Sequence, residues 1–249
     1  MTTATTTVSD SGGSPWSGRE LTGSGFEGDL GEADPDLLAV LEDPRDETAM
    51  MAAVARARLL VPIVAVPADP TTQQPGAASG GAGSTDMAAV VLTAPDGQRA
   101  FPVFSSVAAL SAWHPTARPS PVTSSRAAQG AVSERCDVML LDCGSARERV
   151  LRPSMVWALA QQRDWLPAHL DPFVAAALGR ATADEEDVIG CLGQEEPAEA
   201  GVLRVVLSLR PGLDAGQVQA LATRIGERIA TDGEARARID GLSFSIRQA

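Results

Sequence analysis

Three residue types are missing from this chain, whose 249 residues include no lysine, no asparagine and no tyrosine. Without lysine, the chain cannot form a Schiff base with a substrate or supply the lysine of a P-loop, so both kinds of site are excluded. The codons of all three residue types are rich in A and T, so their joint absence indicates a GC-rich genome.

Cysteine and histidine are scarce as well. Cys136, Cys143 and Cys191 are an odd number without a C-x-x-C pair, so we interpret them as reduced thiols of a cytoplasmic protein. His114 and His169 lie far apart in the sequence and in no H-x-x-H pattern, which is not the spacing of a metal site. We therefore expect no metal and no catalytic cysteine activated by a histidine.

Excess positive charge and long apolar runs are also absent. The net charge is -12, and nucleic acid and anionic membranes attract proteins through basic side chains, so we expect neither as a partner. No apolar run approaches the length of a transmembrane helix, and the first residues lack the pattern of a signal peptide. The two acidic zones, 1–58 and 167–200, predict solvated surfaces, with docking of a basic partner as the alternative.

One glycine motif, Gly23–Gly28, has the G-x-G-x-x-G spacing of a dinucleotide site. Such a site needs a strand before the motif and a helix directly after it. A tail rich in Thr, Ser and Gly precedes this motif, and no helix start follows it. We therefore expect no cofactor, and instead an ordered arm that lies against the domain through Leu21 and Phe26.

Composition and turn signals divide the chain into four parts. We predict a disordered tail at 1–18, an N-terminal domain at 19–165, an acidic helix and linker at 166–200, and a small C-terminal α/β unit at 201–249. The predicted fold class is α/β, with α+β as the alternative. We expect a mixed sheet with flanking helices, followed by the smaller strand-helix-strand unit.

In the N-terminal domain, two helix starts precede an apolar strand. Asp34-Pro35 and Asp43-Pro44 each place a capping carboxylate before a proline, which predicts a helix start at each. Leu59–Val66 is too apolar for a surface strand, and Pro62 predicts an unpaired side or a bulge within it. The low-complexity stretch 67–85 predicts a flexible loop, with a mobile lid over an active site as the alternative.

A hairpin and a short helix come next. Strands at 86–93 and 98–104 are joined by Pro95-Asp96-Gly97, whose residues favour a tight turn. Ser105 or Ser106 caps the helix that follows. Similar patterns predict the remaining elements, which are helices at 124–135, 153–162, 172–178 and after Asp214, and strands at 137–141, 202–209 and 242–246.

Several spaced segments carry a family resemblance: Trp16–Leu21, Phe26–Asp29 with Asp34-Pro35, Ala57–Val64, and the stretch from Asp86 through Asp96-Gly97 to Trp113. In this order they resemble the actinobacterial form of the SseB N-terminal domain family, over about residues 16–165. The resemblance implies an α/β fold and a cytoplasmic bacterial protein. It brings no set of catalytic residues with it.

Three functions remain open. Our leading hypothesis is a non-enzymatic protein that acts through contacts with an unidentified protein partner in regulation or assembly. The alternative is a small-metabolite-binding protein or an enzyme related to serine or sulfur metabolism, and a secretion-system component is the third. A shallow sheet face with an apolar patch would favour the first, and a pocket with convergent polar groups would favour the second. The residues predicted to line a ligand or partner groove are Arg99, Trp113, His114 and Arg118.

Overall fold

The structure, a computed structural model, describes residues 25–43, 45–67 and 85–248. The tail predicted at 1–18, almost all of the loop predicted at 67–85, and Leu21 of the predicted arm lie outside these residues. The chain divides into a short unit, Met1–Leu30, and a long unit, Gly31–Ala249. All the elements described below belong to the long unit.

Helices and strands alternate along the long unit, so the fold is α/β, as the sequence predicts. The α-helices are α1 (Pro35–Glu42), α2 (Glu47–Arg56), α3 (Val107–Trp113), α4 (Ser124–Ser133), α5 (Pro153–Ala160), α6 (Pro172–Thr182), α7 (Ala215–Thr231) and α8 (Gly233–Arg236), with a 3-10 helix at Ala168–Leu170. The strands are β1 (Arg58–Pro67), β2 (Thr85–Ala89), β3 (Leu92–Thr93), β4 (Arg99–Val103), β5 (Arg118–Thr123), β6 (Val138–Leu141), β7 (Arg149–Leu151), β8 (Val188–Glu195), β9 (Val202–Leu209) and β10 (Gly241–Gln248).

Two sheets form the N-terminal half. One is antiparallel with the order β2-β1-β5, and the other has the order β3-β4-β6-β7 with β4 and β6 parallel. They meet at an isolated bridge, where Leu60 and Phe104 exchange backbone hydrogen bonds of 2.8 and 2.9 Å. Helices α1, α2, α4 and α5 contribute apolar side chains to a core cluster that extends from Leu37 to Trp165.

Pro62 marks a change of partner along β1. It lies opposite Pro119 of β5, so two residues that cannot donate a backbone hydrogen bond face each other. On its other side, β1 passes from the bridge at Leu60 to the ladder with β2, which begins at Ile63. The irregularity predicted at Pro62 is therefore a switch between two neighbours.

The predicted hairpin is split between the two sheets. Its first half, β2, pairs with β1, and only the two residues of β3 pair with β4. The prediction of one strand at 86–93 is therefore wrong, because the chain leaves one ladder at Val90, whose N–H donates to the carbonyl of Pro62, before it joins the other. The tight turn is confirmed, since Gly97 has φ of 91° and donates to Ala94 at 2.9 Å.

Of the two predicted helix starts, one is confirmed and one is wrong. The Asp34 carboxylate caps α1 and accepts from the N–H groups of Asp36 and Leu37. Helix α2 begins three residues beyond Pro44, at Glu47, and Asp46 caps it by accepting from Ala49 at 2.9 Å. The Asp43 carboxylate is instead bound by Arg45, and Pro44 itself lies outside the described residues.

The C-terminal unit is a three-stranded sheet with helices on one face. The order is β10-β9-β8, with β8 antiparallel to β9, β10 parallel to β9, and α7 as the crossover. Helices α6 and α7 pack on the face that carries Leu203, Val205 and Leu207, and form a second core cluster. Among the described helices, none contributes to this cluster from the other face of the sheet, which we call the helix-free face.

Strand β8 was not expected, because it lies in the segment 166–200 that was predicted as an acidic helix and linker. Gly190 and Gly193 interrupt the alternation of apolar and polar residues that predicts a strand. The packing is tight at Gly193, where a Cβ would lie 3.0 Å from Leu203 and 3.2 Å from Leu178. The division of the chain into an independent N-terminal domain and a dependent C-terminal unit stays a prediction.

Within the part of the chain that the structure describes, no helix combines the length and the apolar character needed to cross a membrane.

Candidate functional site

A cleft among the described residues lies where the N-terminal half and the C-terminal unit meet. Its volume is about 380 Å³. Residues before 166 supply Arg45, Thr48 and Trp165, and residues after it supply His169 and Val202. The position makes this cleft the first candidate for a functional site, since ligand sites favour the boundary between layered units.

Arg152 is the central charge of the cleft. Its guanidinium donates to both carboxylate oxygens of Glu47, at 2.6 and 2.8 Å, and its Nε donates to Oδ2 of Asp240 at 3.0 Å. The hydrogen bonds to Glu47, with a smaller contribution from Asp240, raise the pKa of Arg152 above its usual value. This one side chain therefore joins α2 to the segment that leads into β10.

Asp240 also caps a helix that has no local cap. Helix α5 begins after Arg152, whose side chain makes no capping hydrogen bond. Asp240 Oδ1 accepts from the N–H of Ser154 at 2.7 Å, and Oδ2 accepts from the Ser154 hydroxyl at 2.9 Å. The Ser154 oxygen in turn accepts from Nε1 of Trp165 at 3.0 Å. A carboxylate of the C-terminal unit thus performs the N-cap role that a side chain at the helix start usually performs.

Gly201 allows the loop between β8 and β9 to approach Arg152 and Asp240 closely. Its φ is +84°, a conformation that residues with a Cβ rarely adopt. A Cβ would lie 2.8 Å from Cδ of Arg152, closer still to its Nε, and 3.1 Å from Oδ2 of Asp240. The loop between β8 and β9 therefore rests directly on the ion-paired arginine.

A second arginine forms a similar cluster beside the first. Arg238 donates to Asp171 at 2.9 Å and to Glu234 at 3.1 Å, and its guanidinium lies 4.3 Å from the ring centroid of Phe173. Asp171 is buried and caps α6 through the N–H of Phe173. The arginines of the cleft are therefore balanced by carboxylates, an arrangement that fixes geometry and leaves little charge for a substrate.

Of the residues of the predicted groove, the structure shows Trp113 and His114 in contact. Trp113 and His114 end α3 with ring centroids 5.6 Å apart, and Trp113 packs on Phe104 at 5.2 Å. Arg118 follows closely and begins β5, where it is exposed. Arg99 begins β4, and Phe104 lies just beyond its other end, roughly 16 Å away at the rise of an extended strand. Arg99 thus lies at the end of β4 that is remote from Phe104, and a groove lined by all four residues stays a prediction.

The cysteines share a property that lowers their reactivity. All three are half-buried, free thiols. Burial raises the pKa of Cys136, Cys143 and Cys191, and Glu148 adds to the rise at Cys143. Less thiolate is present at neutral pH as a result. Across the described ranges, no group of three or more His, Cys, Asp and Glu side chains is arranged to hold a metal ion.

The helix-free face of the C-terminal sheet carries an exposed apolar side chain. Leu192 of β8 is 56% exposed and lies opposite Val206 of β9 on this face. Ile189, at the irregularity near the start of β8, is 52% exposed. Val206 itself is buried, so Leu192 is the exposed apolar residue of this pair.

Sequence reasoning missed Glu47, Arg152, Ser154 and Asp240, because their contacts join distant parts of the chain. One signal was available, since a helix that starts at Pro153 behind an arginine lacks a capping residue. Such a helix predicts a cap from elsewhere, although it does not identify the residue that supplies it.

Comparison with known proteins places most of the N-terminal half in a family. Residues 36–158 match the family model of the SseB protein N-terminal domain. The match runs from α1 to α5, so it includes Glu47, Arg152 and Ser154 and ends before Asp240. Neither a curated protein nor a solved structure matches the chain.

Proposed function

We propose that this chain, whose residues 36–158 match the SseB protein N-terminal domain, acts without catalysis, through contacts with a protein partner in regulation or assembly. The three free thiols fit a reducing compartment, so we also propose a cytoplasmic location.

The observation that carries this proposal is the helix-free face of the C-terminal sheet. Leu192 exposes more than half of its surface there, although a leucine gains stability from burial. Its strands are hydrogen-bonded along their length and Val206, opposite Leu192, is buried, so this surface needs little rearrangement to make a contact. Binding by preorganised surfaces loses less conformational entropy.

The experiment compares two charge substitutions on exposed apolar strand residues. Leu192→Arg alters the proposed surface, and Val150→Arg on β7, 47% exposed, is the matched control. Affinity capture from native lysate should yield a partner that wild type and Val150→Arg retain and Leu192→Arg loses. Equal capture by all three folded proteins would reject this surface and the proposal with it.

The cleft around Arg152 favours a second candidate, the binding of a small polar metabolite. Its volume of about 380 Å³ falls within the range of ligand sites, and charged and aromatic side chains line it. Calorimetric titration with serine and other amino acids, and with sulfur-containing metabolites, tests this candidate. Heat of binding that disappears in Thr48→Leu would support it, and no heat from any of them would exclude it for these ligands.

A further inference from the structure

Sheet edges expose unpaired backbone groups, and natural proteins block most of them with prolines, bulges or short strands. Three kinds of protection occur in the described sheets. Strand β5 contains Pro119 and Pro121, β8 has a register shift between Val188 and Gly190, and β3 and β7 have two and three residues. Strand β2 is also an edge, but it adjoins residues outside the described ranges.

Strand β10 lacks these protections. Its eight residues pair in unbroken register with β9, and no other described strand pairs with it. It contains no proline and only one charged side chain, Arg247. Ile246 is 38% exposed on it. Among the described strands, β10 is therefore a long and regular edge without a second strand partner.

We infer that β10 pairs with β10 of a second copy of this chain, antiparallel and across a twofold axis at Ser245. A twofold interface brings the same patch of both copies together, so each contact occurs twice. In this register Ile246 of each copy faces Phe244 of the other, and Arg247 faces Ser243. The two three-stranded sheets become one sheet of six strands.

The side chains of β10 are complementary to themselves in this register. Phe244 and Ile246 lie on the helix-covered face, because they pair with Val205 and Leu207 of β9, so the dimer places apolar beside apolar. On the other face, the Ser243 hydroxyl donates to Glu196 at 2.9 Å. Arg247 of the second copy therefore approaches a carboxylate, and no two like charges face each other.

Sedimentation equilibrium of the purified full chain tests the inference. Wild type at micromolar concentration should have twice the mass of the chain. Ile246→Lys should raise the dissociation constant at least tenfold, whereas the control Val150→Lys, on an exposed apolar residue of β7, should leave it unchanged. A monomeric wild type, or an Ile246→Lys variant that dimerises like wild type, would overturn the inference.

Cross-linking tests the register. Directly facing residues of an antiparallel pair have Cβ atoms about 4.5–5.5 Å apart, so Ser245→Cys should form a disulfide-linked dimer under mild oxidation. Ser208→Cys, on the same face of β9, is the control and should not. A dimer without this cross-link would place the twofold axis elsewhere and overturn the stated register. Leu192→Arg should still dimerise, which separates this result from that of the proposed partner surface.

Discussion

Replacing Asp240 tests whether the C-terminal unit holds the N-terminal domain in place. The side chain is only 11% exposed and accepts three hydrogen bonds, from Arg152 Nε and from the N–H and hydroxyl of Ser154. Asp240→Ala removes both acceptor oxygens and all three hydrogen bonds at once. It leaves the first turn of α5 uncapped and Arg152 with one of its two carboxylates.

The expected loss combines two contributions. Loss of an N-cap costs about 1 kcal/mol. Loss of a charged partner from a fully buried pair costs about 3–5 kcal/mol. Here Arg152 keeps Glu47 and 17% of its side-chain surface stays exposed, so the second contribution is well below that range. We expect a total of about 2–4 kcal/mol, combining the cap with hydrogen bonds to charged groups.

Urea unfolding of the full chain, followed by circular dichroism, measures this loss. Asp240→Asn keeps an oxygen for the Ser154 N–H and should lose less than Asp240→Ala. Asp232→Ala is the matched control, because Asp232 also caps a helix and binds an arginine, but its partner Arg180 is 62% exposed. If Asp240→Ala cost less than about 1 kcal/mol, the value of a cap alone, the argument for a joint between the two halves would fail.

Four further predictions follow from the same structure. Gly201→Ala should destabilise the chain more than Gly212→Ala. Both glycines have positive φ, but only Gly201 has side chains within 4 Å of an added Cβ. Thermal melts should therefore show backbone strain alone in Gly212→Ala, and backbone strain together with steric overlap in Gly201→Ala. Iodoacetamide should label the three thiols more slowly at pH 8 in the folded chain than in urea, because burial raises the pKa of each; equal rates would contradict this. The pKa of Glu185 is lowered by its hydrogen bonds with a neighbouring arginine, so the stability it adds is present above the usual glutamate pKa of about 4.3 and is lost as the pH falls through the lowered value. Glu185→Gln should therefore lower the melting temperature at pH 7 by more than it does at pH 3. Finally, a fragment of residues 19–165 should fold and one of 201–249 should not, since the latter lacks α6 and β8; circular dichroism melts of both decide this.

Local signals in the sequence predicted local structure. Asp34 and Ser106 cap their helices by accepting from N–H groups two or three residues further along the chain. A short sequence motif spans this separation. The turn at Gly97 depends on one glycine with positive φ. In each case the residue and its contact are at most three positions apart, so the local sequence pattern is sufficient to predict the contact without knowledge of the tertiary structure.

The failures involve competition between sites or long-range contacts. Asp43 and Asp46 are both acceptable caps; the structure uses Asp46, whereas Asp43 ends α1 and its carboxylate binds Arg45. The run at 86–93 is long enough for one strand, yet two sheets divide it between them. Hydrophobic periodicity cannot predict which aspartate caps the helix or which sheet a strand residue joins, since both depend on the side chains and strands that lie nearby in the fold.

The candidate site could not be predicted for the same reason, and its geometry connects the two proposals. Helix α5 ends the matched SseB domain, but its capping carboxylate, Asp240, lies directly before β10. The ion pairs of Arg152 with Glu47 and Asp240 therefore fix the start of β10 relative to α2 and α5. Because the C-terminal sheet is held at this end, its helix-free face and the edge of β10 keep one orientation. Association at either surface then orders few additional groups and loses little conformational entropy. A variant that breaks the Arg152 contacts should then weaken both dimerisation and partner binding without touching either surface, whereas a variant at Leu192 or Ile246 should weaken only one of them.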